Sequence, residues 1–275
     1  TLLGALVVIF VLTQAVPGDA AMIRVGKSYT PETLAAVRAS MGLDQPPPVQ
    51  FLTYLRNLSQ GNFGHSWKTG NAVALDLKDR VPATLELVLW TLVLSIPVGI
   101  GLGLAAAAWP GSLLGRAIGA YTLVGLGMPV FWLSLMAIYV FFFLLGWAPP
   151  PTGRLGILDT PPEAITGFYV IDALLAGDGE LAGKAASHLA LPVASLLFVV
   201  AAPIARLTAG ALADQLGGDY VRAATAAGIP RREIIMRFAL KNVMIPIMTL
   251  IGVMTRFLIG GAEGLDPAMT ARAEW

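Results

Sequence analysis

The sequence contains no cysteine, only two histidines and few charges of either sign. The first absence excludes a disulfide framework, thiolate metal sites and a cysteine nucleophile, and leaves the redox compartment open. His65 and His188 stand alone, neither with a second histidine or a carboxylate at i+3 or i+4, so each reads as structural and not as half of a helical metal site. Charged residues make up 13% of the chain, about half the quarter usual in soluble domains. Eighteen basic and seventeen acidic side chains leave a net charge of +1, so no global field would draw in nucleic acid or an acidic surface. No glycine-rich run ends in Gly-Lys-Ser or Gly-Lys-Thr, so the chain is not expected to hydrolyse ATP itself. Gly64-His65-Ser66-Trp67-Lys68 lacks the second glycine and the strand-turn-helix setting of a nucleophile elbow. No residue is assigned a catalytic role.

Apolar residues dominate instead: 56% of the 275 residues are hydrophobic, with 30 glycines besides and a mean hydropathy of +0.73. A soluble fold of this size would expose much of that surface and aggregate, so the chain reads as an all-α integral membrane protein. Disorder and a small secreted scaffold are excluded. The chain opens in TLLGALVVIFVLTQAV without the basic leader of a signal peptide, although Gly18-Asp19-Ala20-Ala21 loosely resembles a cleavage site. Sixteen residues reach about 24 Å, short of a roughly 30 Å hydrocarbon core, so this segment reads as a truncated first span.

Residues 17–82 are polar and punctuated. Thr30-Pro31-Glu32 supplies an N-cap, a first-turn proline and a dipole-complementing acid, and Gly42 an end. After Pro46-Pro47-Pro48, the spacing of Val49, Leu52, Leu55 and Leu58 predicts a second short amphipathic helix before Gly61, packed on the membrane surface or the bundle. Apolar spans are expected at 83–108, 118–147, 188–205 and 243–261, making five apolar segments with the first. Pro97 and Pro129 interrupt two of them. Glu86, near the start of its span, reads as interfacial and solvated. Arg256 would lie near mid-membrane, and we expect it to face a translocation pathway and meet a substrate carboxylate, with pairing inside the bundle or snorkelling as the plainer alternatives.

Basic residues set the expected orientation. Residues 107–117 and 206–241 hold seven in 47 positions, whereas 17–82 and 147–187 hold nine in 107, and 147–187 carries five acids against two bases. The positive-inside rule then places the first two segments and the amino terminus in the cytoplasm. Between the last two spans lies DYVRAATAAGIPRREIIMRFALKNVMIP, read as helix, break at Gly228-Ile229-Pro230, and helix. Composition alone leaves two readings open: a docking knob on the cytoplasmic face, or an amphipathic linker held to anionic lipid by its arginines.

This segment resembles the cytoplasmic coupling loop of ABC importer permeases, most closely the dipeptide and oligopeptide branch. That family's pattern is Glu-Ala-Ala, three residues, Gly, nine residues, Ile-x-Leu-Pro. Counted from Gly228, its first places fall on Arg222, Ala223 and Ala224 and its last on Phe238, Ala239, Leu240 and Lys241. Arg for Glu and a basic residue for Pro are familiar in the peptide branch, whereas Phe238 stands where that branch usually has His. TPETLAAVRASMGLDQP, GNFGHSWKTGNAV, RVPATLELVL, Gly127-Met128-Pro129-Val130-Phe131-Trp132-Leu133 and HLALPVASL resemble the same branch in the same order. The resemblance covers residues 1–261, taken as one transmembrane permease domain. The family continues through a sixth span, whereas 262–275 is a short polar tail.

The resemblance implies a subunit of an importer in a bacterial or archaeal cytoplasmic membrane, working beside a second homologous permease and two cytoplasmic ATPase subunits that bind MgATP. An extracytoplasmic binding protein would deliver peptides; nickel, glutathione and sugar relatives exist in the branch. Ile234, Ile235 and Phe238 would fill a cleft of the ATPase, Gly228 would allow close approach of two helices, and Arg231, Arg232 and Arg237 would be rim charges or lipid anchors. The competing classes are an ion-driven carrier or channel, for which the spans offer no acid besides Glu86, and a scaffold without transport, favoured only if the sixth span is truly missing.

Overall fold

The structure, a computed structural model, describes residues 2–15, 30–40, 42–64, 66, 69 and 71–261. His65, Trp67, Lys68, the 16–29 stretch and the 262–275 tail lie outside them. The chain divides into two compact units, residues 1–80 and 81–275.

The first unit contains α1 (Leu2–Ala15), α2 (Pro31–Ser40) and α3 (Pro47–Ser59). The Thr30 hydroxyl accepts from the Thr33 amide at 3.3 Å, which is the expected cap, and Gly42 closes α2 at φ 69°. Phe10 of α1 meets Phe51 edge-on at 5.2 Å and lies 6.0 Å from Tyr54, so the apolar α1 has an aromatic partner on α3. Val49 and Leu52 stay exposed.

Four further helical stretches carry most of the apolar sequence. α4 (Val73–Ala108) has Pro82 and Pro97 inside it and begins ten residues before the expected span. α5 (Leu113–Gly127) starts from Ser112, whose hydroxyl accepts from the Gly115 amide, and α6 (Val130–Ala137) runs on through wide π-type turns over Ile138–Leu144. The predicted single span at 118–147 is broken: α5 and the 130–144 stretch meet at 107°. Pro129 has no amide hydrogen to continue α5, and both it and Met128 take extended backbone, as the residue before a proline prefers. α7 (Tyr169–Leu175) is short, and α8 (Gly179–Leu216) covers 38 residues, overrunning the expected 188–205 span at both ends. Beyond it come α9 (Asp219–Ala226), a single turn α10 (Arg231–Glu233), π-type turns over Ile234–Ala239, and α11 (Leu240–Gly261).

Among the described residues, three helical stretches are long and apolar enough to cross a membrane, Val73–Ala108, Gly179–Leu216 and Arg231–Gly260, and the bent pair makes a fourth if counted as one span. α1, with 14 residues, is shorter than these. α8 forms the axis of the second unit. Its Leu196, Val200, Ile204 and Leu212 join Val88 of α4 and Val243, Ile247 and Leu258 of α11 in one buried cluster. A Cβ on Gly99 would lie 2.7 Å from Ile204 Cβ, and one on Gly103 would lie 2.5 Å from Thr208 Cβ and 2.7 Å from the Ala205 carbonyl. Gly125 of α5 comes equally near Ala202. Small residues thus bring backbones together where lipid supplies no hydrophobic drive between helices. Outward-facing Phe131, Phe143, Trp147 and Ile245 are largely exposed, which suits a surface solvated by lipid.

Candidate coupling site

The segment 219–242 folds as helix, break and helix. α9 is amphipathic: Arg222 and Ala223 are exposed, and Ala224 is half-buried. Arg222 is paired with Asp219 one turn earlier, so its charge is balanced locally. Gly228 takes φ 78°, its amide donating to the Thr225 carbonyl while Ile229 N–H reaches the Ala224 carbonyl at 3.1 Å. These two bonds are a Schellman closure, which asks for a left-handed residue and therefore glycine. A Cβ on Gly228 would meet nothing within 4 Å. Within the chain, the role of Gly228 is backbone conformation.

Pro230 then starts the return helix, which is continuous with the last span. Ile234 and Ile235 are 2% and 9% exposed, packed inside the chain, so they do not project to fill a partner's cleft. Both isoleucines, with Ala239, are the buried residues of the wide turns over 234–239. Phe238 remains 43% exposed beside Met236 at 52%, and Leu240 is half-buried. Arg237 donates to Glu233 at 2.6 Å. Arg231 and Arg232 are exposed, their side chains with no ion pair or hydrogen bond among the described residues. No sequence motif singles out Gln215, whose Oε1 accepts from the Tyr220 hydroxyl at 3.1 Å and the Asn242 side-chain amide at 3.3 Å. It ties the end of α8 to both helices of the segment.

At the opposite end of α4 the structure overturns the solvated reading of Glu86, which is fully buried. Its carboxylate accepts from Arg154 Nη2 at 2.5 Å, from the Tyr169 amide at 3.1 Å and from the Val170 amide at 2.9 Å. Glu86 thus caps the amino end of α7 from 83 residues away. Arg154 also donates to the Gly167 carbonyl at 2.7 Å and lies 3.5 Å over the Tyr169 ring. Asp172, likewise buried, accepts from the amides of Ile165, Thr166 and Gly167 and from the Thr166 hydroxyl. Burial alone would push its carboxyl up, but those donors outweigh burial and hold it below the usual carboxylate range. Sequence reading does not single out either residue: Arg154 sits in a loop without periodicity, and Asp172 in the seven-residue α7, too short for a helical pattern to stand out. A lone acid inside an apolar run was the available signal at Glu86.

Arg256 lies exposed on α11 with no carboxylate partner among the described residues.

Comparison with known proteins decides the family. Residues 99–265 match "Binding-protein-dependent transport system inner membrane component", and residues 1–88 match "Binding-prot-dependent transport system membrane comp, N-term". The chain belongs to this family of transport-system membrane components. It is 38% identical over 259 residues to the probable D,D-dipeptide transport system permease protein DdpB of Escherichia coli strain K12, covering 94% of this chain and 76% of that one. The dipeptide transport system permease protein DppB of Alkalihalophilus pseudofirmus is 33% identical over 264 residues, and the di/tripeptide transport system permease protein DppB of Pseudomonas aeruginosa 36%. Each of those two matches covers 95% of this chain and 78% of the relative. Membership makes the chain a multi-pass membrane subunit of a binding-protein-dependent transporter, and favours that reading over an ion-driven carrier or channel.

Proposed function

We propose that the chain is a permease subunit of an ATP-driven importer that moves di- or oligopeptides, delivered by an extracytoplasmic binding protein, across the cytoplasmic membrane. The observation that carries the reading is the identity of 33–38% to peptide permeases over 94–95% of the chain. The exposed geometry of the coupling segment agrees with it. A second homologous permease completes the pathway, and two cytoplasmic ATPase subunits hold MgATP. The amino terminus and segment 219–242 face the cytoplasm, and the 148–178 loop faces outward.

The ATPase contact falls on the exposed residues of the segment, Arg222, Ala223, Gly228 and Phe238, and on half-buried Ala224 and Leu240. Ile234 and Ile235 fix the shape of that surface from within. The test is retention of the ATPase on the co-purified permease pair through detergent washes. Ala223→Trp, which changes a side chain open to solvent, is expected to cut retention at least tenfold without altering insertion, as a bulky group at the centre of a contact does. Full retention by Ala223→Trp and Phe238→Ala together would sink this assignment. Arg256 is assigned to the pathway, where it meets the substrate carboxylate. Peptide uptake by Arg256→Leu at the wild-type rate and affinity would overturn that role.

A further inference from the structure

A cavity of about 550 Å³ lies between the carboxyl end of α4 and the start of the return helix. Leu104 and Ala108 of α4 and the adjoining Trp109 line it on one side, and Arg231, Arg232 and Met236 on the other. No acidic residue lines it. Its two arginines differ from their neighbours in the same segment: Arg222 is neutralised by Asp219 and Arg237 by Glu233, whereas neither Arg231 nor Arg232 has a partner among the described residues. Trp109 is 60% exposed just beyond the last turn of a membrane-crossing helix, the position of an interfacial anchor.

We propose that this cavity binds one anionic phospholipid, its phosphate held between Arg231 and Arg232 and its acyl chain laid along Leu104, Ala108 and Met236. Charge and lining together select this occupant. A free anion would satisfy the arginines and leave the apolar wall bare. A zwitterionic lipid would satisfy the wall and bring its own cation to two unpaired guanidinium groups. Basic pockets between helix ends at the membrane surface favour anionic headgroups for this reason. The bound lipid would join the carboxyl end of α4 to the start of the return helix.

The test uses the full chain co-purified with its second permease, offered equal amounts of dioleoylphosphatidylglycerol and dioleoylphosphatidylcholine, with bound lipid read by native mass spectrometry. Wild type is expected to retain the phosphatidylglycerol preferentially. Arg231→Gln with Arg232→Gln should lower that retention roughly five- to tenfold. Ala108→Trp, which fills the apolar end and leaves both arginines, should lower it as well, and Arg237→Gln should not. Equal retention of the two lipids by wild type, or unchanged phosphatidylglycerol on the double variant, would overturn the proposal. Displacement of the lipid by millimolar inorganic phosphate would reassign the arginines to a free anion. Loss of the ATPase from the double variant with lipid unchanged would assign them to that partner. The lipid measurement needs no ATPase, so its failure is distinguishable from failure of the importer reading.

Discussion

A carboxylate with no exposed surface is tolerated only where donors replace water, and Glu86 has Arg154 and two backbone amides to do so. Arg154 and Glu86 are therefore unequal partners. Arg154→Leu leaves a buried charge facing only the Tyr169 and Val170 amides, and is expected to cost about 3 kcal/mol of stability in detergent. Adding Glu86→Leu removes the stranded charge but orphans both amides, so the double variant should recover part of the loss and remain about 2 kcal/mol below wild type. Full recovery in a chemical-unfolding series would show that the amides find other acceptors. Asp172 makes a prediction with a definite sign. Its carboxyl is held below the usual range, so its contribution is complete above the unfolded value of about 3.9 and is lost as pH falls through the lower folded value. The difference in unfolding midpoint between wild type and Asp172→Asn should stay constant from about pH 7 to pH 5 and shrink below about pH 4. A difference that grew on acidification would contradict this account.

The contact of α4 with α8 rests on two glycines one turn apart, against Ile204, Ala205 and Thr208. At Gly103 the nearest groups include a backbone carbonyl, which cannot rotate away as a side chain does. Gly103→Val should therefore force the helices apart and cost about 1–3 kcal/mol, read as a lower unfolding midpoint in detergent. Gly119→Ala on α5, where a Cβ meets nothing, should leave the midpoint unchanged or raise it slightly. Equal effects at the two sites would mean that helix propensity, not packing, sets the outcome. Helix ends were legible at this scale because their chemistry is local: Thr30 caps α2, Gly228 closes α9 and Pro230 restarts the chain, all from adjacent residues. The wide turns over 234–239 were not legible, since apolar spacing does not distinguish π-type turns from an α-helix. The 107° bend was half legible. Pro129 announces a break, but the angle depends on how α5 and α6 each pack on α8.

For the molecule as a whole, apolar content and a run of family motifs are enough to identify a membrane transport subunit, because both are distributed along the chain. What long-range contacts determine was hidden, and Glu86 shows why: its partners lie 68 to 84 residues away in sequence. The same limit applies to sidedness, which rests on the count of basic residues in the connections. The absence of cysteine makes that testable directly, since an introduced thiol is the only one in this sequence and labelling can be read on the purified chain. Leu158, 97% exposed in the 148–178 loop, and Ala227, exposed at the tip of the coupling segment, are suited to substitution because neither supports a neighbour by a side-chain contact that the fold depends on. In intact cells a membrane-impermeant maleimide should label Leu158→Cys and spare Ala227→Cys, and in inverted vesicles the pattern should reverse. Labelling of Ala227→Cys from outside would put the coupling segment on the face opposite the ATPase, and the importer mechanism would fail with it.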